Sequence, residues 1–444
     1  MNNSEVRPRS PVFLICMLLL LATTINYADR LTLNQLAPEL MKALDFNKQA
    51  YGNAEAMFGI AYAFGAIVWG VIVDRYGAVP IYPIGVILWS LAGFATGFVQ
   101  DYDGLVICRS ALGFCEAANW SCGIVITKKL LNPRDRVLGN GMFQSGTALG
   151  SILTPFTVVW LSQNFGWPAA FQFIGVLGFA WAIAWVVVLW KYPLRQPVEG
   201  DSRENSETLG FGAFLLWLFR DRRFWCLAIM VFAINANWHL FRTWLPLYLR
   251  EGRGFSENEQ AGVFTFFFIA ADVGALLSGF LIRQFAPTLG IFPSRFWVYL
   301  GCSLMTMASV PLALIESPWV LFPSLLILGV GSLGLFPIYF AFSQDLTTNR
   351  QGILTGILAA WNWVLLFLMQ RFMGWAIQTS QDAEVARLMA LGMDGVEALK
   401  HATHDAYPLK IAMTGLAPLA GVLALWLIWP KSGEKNLIPG ADGR

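Results

Sequence analysis

The chain has 444 residues, 56% of them hydrophobic and 13% charged, with a formal net charge of +2. A soluble domain carries about 25% charged residues, so the composition excludes an ordinary water-soluble protein and points to one built within a lipid bilayer. The near-neutral balance suggests neither a nucleic-acid surface nor an acidic substrate.

A membrane span needs about 20 mostly apolar residues. Twelve segments meet that length: residues 11–36, 53–73, 79–98, 104–127, 138–161, 168–190, 224–249, 258–282, 296–315, 318–341, 352–378 and 408–430. Arg7 and Arg9 ahead of the first segment resemble the start of a signal peptide. No small-residue cleavage site follows, so the segment reads as a retained first span. The sequence therefore predicts an all-α membrane protein of twelve transmembrane helices in two six-helix halves, residues 1–190 and 224–444. The polar stretch "PVEGDSRENSE" lies in the intervening linker, residues 191–223, and the short apolar piece "LGFGAFLLWLF" suits the membrane surface. If both termini are cytoplasmic, the inner segments hold 19 lysines and arginines and the outer loops 6. That asymmetry predicts a plasma (inner) membrane protein with both ends inside. The outer segment 379–407 is long and has room for a short helix.

All six cysteines fall in apolar segments. Cys108, Cys115 and Cys122 recur every seven residues, which places them on one helix face as packing residues. His401 and His404 form an isolated H-x-x-H without the acids or thiols of a metal site. No nucleophile–base pair, metal motif or nucleotide loop is present. The expectation is a carrier without cofactor, metal or catalytic residues, and not an enzyme.

Ionised residues at mid-bilayer cost about 2.5–3.5 kcal/mol each on insertion scales and mark cavities or partners. The set is Asp29, Arg30, Arg109, Glu116, Arg242, Asp272 and Arg371, with Lys410 close enough to a span end to snorkel. Asn26, Arg30 and Asn34 stand four apart and form one polar stripe on span one. Asp29 lies about 100° around that helix, free to face a neighbouring span. A guanidinium grips a carboxylate through two parallel bonds and keeps its charge, whereas an aspartate can take a proton. The pair offers an anion site beside a proton site. Arg109 and Glu116 are two turns apart on span four; cross-helix pairing would put Arg109 on Asp29 and Glu116 on the substrate. The alternative is that these four form a fixed structural network. On span seven, Asn235, His239 and Arg242 share a stripe. Arg242 either bridges to Asp272 on span eight or meets a second acidic group or the far end of the substrate. His239 is a core histidine or a proton shuttle. On span eleven, Asn362 in "WNW" could bond hydroxyls beside an aromatic face.

The layout of two six-span halves with a cytoplasmic linker resembles the major facilitator superfamily. "GVIVDRYGAVP" resembles its G-x-x-x-D-R-x-G signature through Gly70, Asp74, Arg75 and Gly77. A charged pair on this turn, Asp74 and Arg75, could latch the halves in one state and release them in another. Within the superfamily, "NYADR" and "RSALGFCEAANW" resemble the anion:cation symporter family, which includes bacterial hexuronate, galactonate and glucarate permeases. The resemblance implies proton-coupled import of a sugar acid by alternating access. It implies that Arg30 holds the substrate carboxylate, that Asp29 and Glu116 carry protons, that Arg109 tunes them, and that Tyr62 and Asn362 touch the sugar. The partners expected are a small anionic substrate, protons and the bilayer, with no nucleic acid and the chain acting as a monomer. The rival expectation is an organic-phosphate antiporter, which would use arginines on spans one and seven but has no need of Asp29 or Glu116.

Overall fold

The computed structural model describes residues 12–192, 211–347 and 350–428. Arg7 and Arg9, the "PVEGDSRENSE" segment and the last residues of the chain lie outside the described residues. Among the described residues every regular element is a helix. The first group is α1 (Val12–Ala43), α2 (Lys48–Tyr76), α3 (Ala78–Thr96), α4 (Tyr102–Glu116), α5 (Ala118–Leu130), α6 (Arg136–Phe165) and α7 (Trp167–Lys191). The short α8 (Phe211–Arg220) precedes the second group. That group is α9 (Arg222–Leu247), α10 (Glu257–Leu289), α11 (Ile291–Thr306), α12 (Ser309–Leu314), α13 (Pro318–Leu346), α14 (Gln351–Ala390), α15 (Gly395–Ala406), α16 (Pro408–Thr414) and α17 (Pro418–Leu427).

Among the described residues ten stretches are long and apolar enough to cross a membrane, counting α11 with α12 as one and α15 to α17 as another. The other two of the twelve expected spans, α4–α5 and α6, are less apolar because they carry Arg109, Glu116 and Asn119, and Asn140, Gln144 and Thr147, all buried. Such helices can cross a bilayer only with their polar face turned inward. Span four is interrupted at Ala117. The break parts Cys122 from Cys108 and Cys115, so these three do not sit on one continuous helix as their spacing suggested.

Helix starts follow local chemistry. Asn47 and Asp101 accept the Ala50 and Gly104 amides at the starts of α2 and α4, and Ser256 with Glu259 forms a capping box on α10. The two groups meet along α2 with α14 and along α6 with α10. The first crossing is close enough that a side-chain carbon on Gly70 would sit 2.5 Å from the Gly352 carbonyl oxygen, so only glycine fits there.

The hydrogen bonds that join the groups gather at the end of the bundle where α1 begins. Asp74 accepts the Gly352 and Ile353 amides, 2.7 Å each, at the N-terminus of α14. A carboxylate there satisfies orphan helix donors and meets the positive end of the dipole. Lys128 donates to the Thr347 carbonyl and to Gln351 Oε1. Asp345 takes Arg136 from the first group at 3.0 Å and Arg295 from its own, while Arg295 also donates to the Pro133 carbonyl at 2.9 Å. Arg75, expected to share the latch with Asp74, is exposed and lies 5.3 Å over the Tyr76 ring. This end of the bundle is sealed.

Candidate functional site

Between the groups lies a small cavity of about 80 Å³. Arg30, Tyr62, Gln144, His239, Asn362 and Trp363 are among its walls. The first helix of each group faces it: Tyr27 and Arg30 from α1, Asn235, Trp238 and His239 from α9. The four-residue and three-residue spacings set these side chains on one stripe per helix.

Arg30 is the centre of the arrangement. Its Nε and Nη2 both donate to Glu116 Oε2, at 3.1 and 2.8 Å. Four rings enclose the guanidinium: Tyr27, Phe58, Tyr62 and Trp363, with centroids 5.2, 5.1, 5.1 and 5.9 Å away. Aromatic faces are favourable neighbours for a cation. They also keep water from competing for it. Glu116 Oε1 is buried without a hydrogen-bond partner.

The expected pairing of Arg109 with Asp29 is not formed. Arg109 instead donates through Nη2 and Nε to Glu55 Oε1, at 2.7 and 3.3 Å, and to the Arg30 carbonyl at 3.1 Å. Asp29 turns towards α3, where its carboxylate fills the space that a side chain on Gly93 would need. Its Oδ2 has no partner. Glu116, expected to reach for substrate, is held by Arg30 instead. Glu55 was missed by sequence reasoning. The available signal was an acid at the third residue of span two.

Of the span-one stripe, only Arg30 lines the cavity. Asn26 is fully buried and Asn34 accepts the Tyr51 hydroxyl at the open end. Tyr62 and Asn362 do line it, and Asn362 Oδ1 is unpaired. Trp363 joins Asn362 on the wall, but Trp361 points away and meets Trp225. Arg242 and Asp272 do not pair. Asp272 lies in a separate apolar groove with Leu138, Ser145 and Leu276, while Arg242 is half-buried, is not among the residues lining the cavity, and keeps its Nη1 without a hydrogen-bond partner. Arg371 is exposed, contrary to expectation. Lys410 donates to Ser380 Oγ at 2.5 Å. Asn235 and His239 of the span-seven stripe line the cavity, and Gln144 and Thr355 are cavity residues that the sequence did not assign. Among the described residues no cluster of His, Cys, Asp or Glu has the arrangement of a metal site.

Chemically the site can hold an anion on a fixed guanidinium, read hydroxyls with amide side chains, and exchange protons through acids that lack full pairing. The sequence matches the family described as Major Facilitator Superfamily over residues 19–369. The hexuronate transporter of Escherichia coli (strain K12) is 28% identical over 341 residues, 74% of this chain and 78% of that protein. The galacturonate transporter of Dickeya chrysanthemi is 26% identical over 329 residues, covering 72% and 90%. The solved Escherichia coli fucose:proton symporter aligns with a TM-score of 0.69 over 94% of this chain and 98% of that one, at 14% identity. That similarity is one of fold.

Proposed function

This chain belongs to the major facilitator superfamily and is a multi-pass membrane transporter rather than an enzyme, and we propose that it imports an organic anion, a sugar acid of the hexuronate type, together with protons. The observation that carries the reading is the Arg30–Glu116 pair set into an aromatic wall of the cavity. An incoming carboxylate competes for the Arg30 donors now spent on Glu116 Oε2. Released, Glu116 is a buried acid without a counter-ion, and a proton neutralises it. Asp29, equally unpaired, is the second proton site, and Arg109 sets the local potential between them. Tyr62 and Asn362 meet the sugar. Relatives named for hexuronate and galacturonate transport support this substrate class.

The two halves, residues 1–190 and 224–444 joined by 191–223, rock about the cavity. With both termini cytoplasmic in the plasma membrane, the sealed end is the inner one and this conformation faces outward. Asp74 is then the inner latch. A second reading, organic-phosphate exchange, draws on Arg30 of α1 and Arg242 of α9.

The test is uptake of labelled glucuronate and galacturonate by a bacterial strain lacking its own sugar-acid permeases. Accumulation should collapse with a protonophore and vanish in Arg30→Ala. Uptake of glucose 6-phosphate in exchange for internal phosphate, with no uptake of either sugar acid, would replace this reading with the second.

A further inference from the structure

Arg350 joins two parts of the molecule. Its carbonyl accepts the Leu354 amide at 3.2 Å as α14 begins, and the amides of Gly352 and Ile353 go to Asp74 of the first group. Its guanidinium lies 4.9 Å over the ring of Phe214 on α8. A cation over a ring face is a favourable contact. The start of α14, which makes the seal, therefore leans on α8.

The surface of α8 is apolar nearly all round. Phe214 and Leu218, one turn apart, are buried, while Phe211, Leu216, Trp217 and Phe219 are exposed. Arg220 is the one charged side chain among its ten residues. Such an apolar surface marks contact with lipid or with protein. Lipid is at hand, because α8 ends at Arg220 and the spanning helix α9 begins at Arg222. Trp225, a residue type common at membrane boundaries, fixes the corner by donating Nε1 to the Phe219 carbonyl at 2.8 Å. Asp221 caps α9 and takes Arg223 at 2.7 Å. Arg220 and Arg222 on either side are exposed and, among the described residues, make no ion pair. Two unmatched cations at the edge of an apolar helix complement the phosphates of an anionic lipid surface. We propose that α8 lies in the lipid interface, that Arg220 and Arg222 bind the phosphates of anionic phospholipid, and that this contact holds Arg350 and the start of α14 where Asp74 caps it. An anionic membrane then favours the sealed state of this end, whichever anion the cavity carries.

The purified full chain is placed in vesicles of phosphatidylcholine alone and of an equal mixture of phosphatidylcholine and phosphatidylglycerol. Spin labels on the α5–α6 and α10–α11 turns report the separation across the sealed end. The ratio of short to long distances should be about 5-fold higher in the mixture, the worth of one basic side chain at an anionic surface. Arg220→Gln combined with Arg222→Gln should abolish that difference and leave the distances in phosphatidylcholine alone unchanged. Phe214→Leu, which keeps the apolar bulk and removes the ring, should also abolish it. A further label at Leu216 should collide with oxygen dissolved in lipid and not with an aqueous nickel chelate, in the native chain and in Phe214→Leu alike. Equal distance ratios in the two membranes overturn the proposal. So does an undiminished difference in the double arginine variant, which would give the effect to other basic groups at this end. A Leu216 label reached by the nickel chelate puts α8 in water and overturns it too, as does inorganic phosphate reproducing the effect in phosphatidylcholine alone.

Discussion

Arg30 places Nε and Nη2 on the same oxygen of Glu116, Oε2, and leaves Oε1 with nothing. The pair is therefore monodentate at the acid and has spare capacity on both partners.

Glu116→Gln separates binding from coupling. The amide oxygen still accepts from Arg30, but the side chain no longer titrates. Counterflow of substrate should persist while proton-driven accumulation falls to the level seen with a protonophore. Arg30→Lys removes the forked donor and should raise the KM by about 10–100-fold, the worth of a hydrogen bond to a charged group. Retained accumulation by Glu116→Gln would remove that residue from the proton path.

Glu55→Gln leaves Arg109 without its counter-ion while its Nη1 is already unpaired. The amide oxygen can still accept from Arg109, so the expected loss of stability, about 1–3 kcal/mol, is that of turning a charge-assisted contact into a neutral one beside a buried guanidinium. It should be read as a lower melting temperature of the purified protein. Glu55→Asp, too short to reach, should resemble Glu55→Gln, and Arg109→Gln combined with Glu55→Gln should recover part of the loss. Independent, additive effects of the two changes would mean the pair is not coupled.

Asp74→Ala removes the acceptor for two amides at the start of α14. Losing a cap costs about 0.5–2 kcal/mol, enough to shift a two-state equilibrium about 2–30-fold. The sealed end should open more often. Spin labels on the α5–α6 and α10–α11 turns would report a larger separation on average. Arg75→Ala, whose side chain is exposed, should leave that distance unchanged.

His404 has Glu316 Oε1 2.6 Å from Nε2 and Asp405 Oδ1 2.9 Å from Nδ1. Only the protonated ring donates from both nitrogens. The clamp ties α15 to the turn before α13, with Gln381 donating to Thr403 at 2.6 Å beside it. It should be present while the ring is charged and be lost as the pH rises and the ring gives up its proton. Hydrogen exchange of α15 should accelerate with pH beyond the intrinsic rate, and Glu316→Gln should raise it already at acidic pH. An α15 whose protection is independent of pH would rule the clamp out.

Hydrophobic run length, lysine and arginine placement and the few charges inside apolar segments were all legible from the chain. They depend on one residue and its near neighbours, because each span must satisfy the bilayer on its own. Arg30, Tyr62 and Asn362 all line the cavity; helical spacing singled out Arg30, the family resemblance Tyr62, and the flanking tryptophans Asn362. The partners of the charges were not legible. Arg109 was expected on Asp29 and sits on Glu55; Glu116 was expected on the substrate and holds Arg30; Arg75 was expected in the latch and lies on the surface. Helical spacing says which way a side chain points along one helix, but not which helix stands opposite.

The sequence by itself determined that this protein lives in a membrane, in twelve spans, with ionised groups that must face inward. Lipid offers those groups nothing, and that constraint acts on every span separately. Only the tertiary structure decided which acid meets which base and left Arg242 without an ion pair among the described residues. Those outcomes depend on differences of a few ångströms between neighbouring helices, set by contacts such as Gly70 against Gly352 and Gly93 against Asp29, and no spacing along one strand of sequence encodes them.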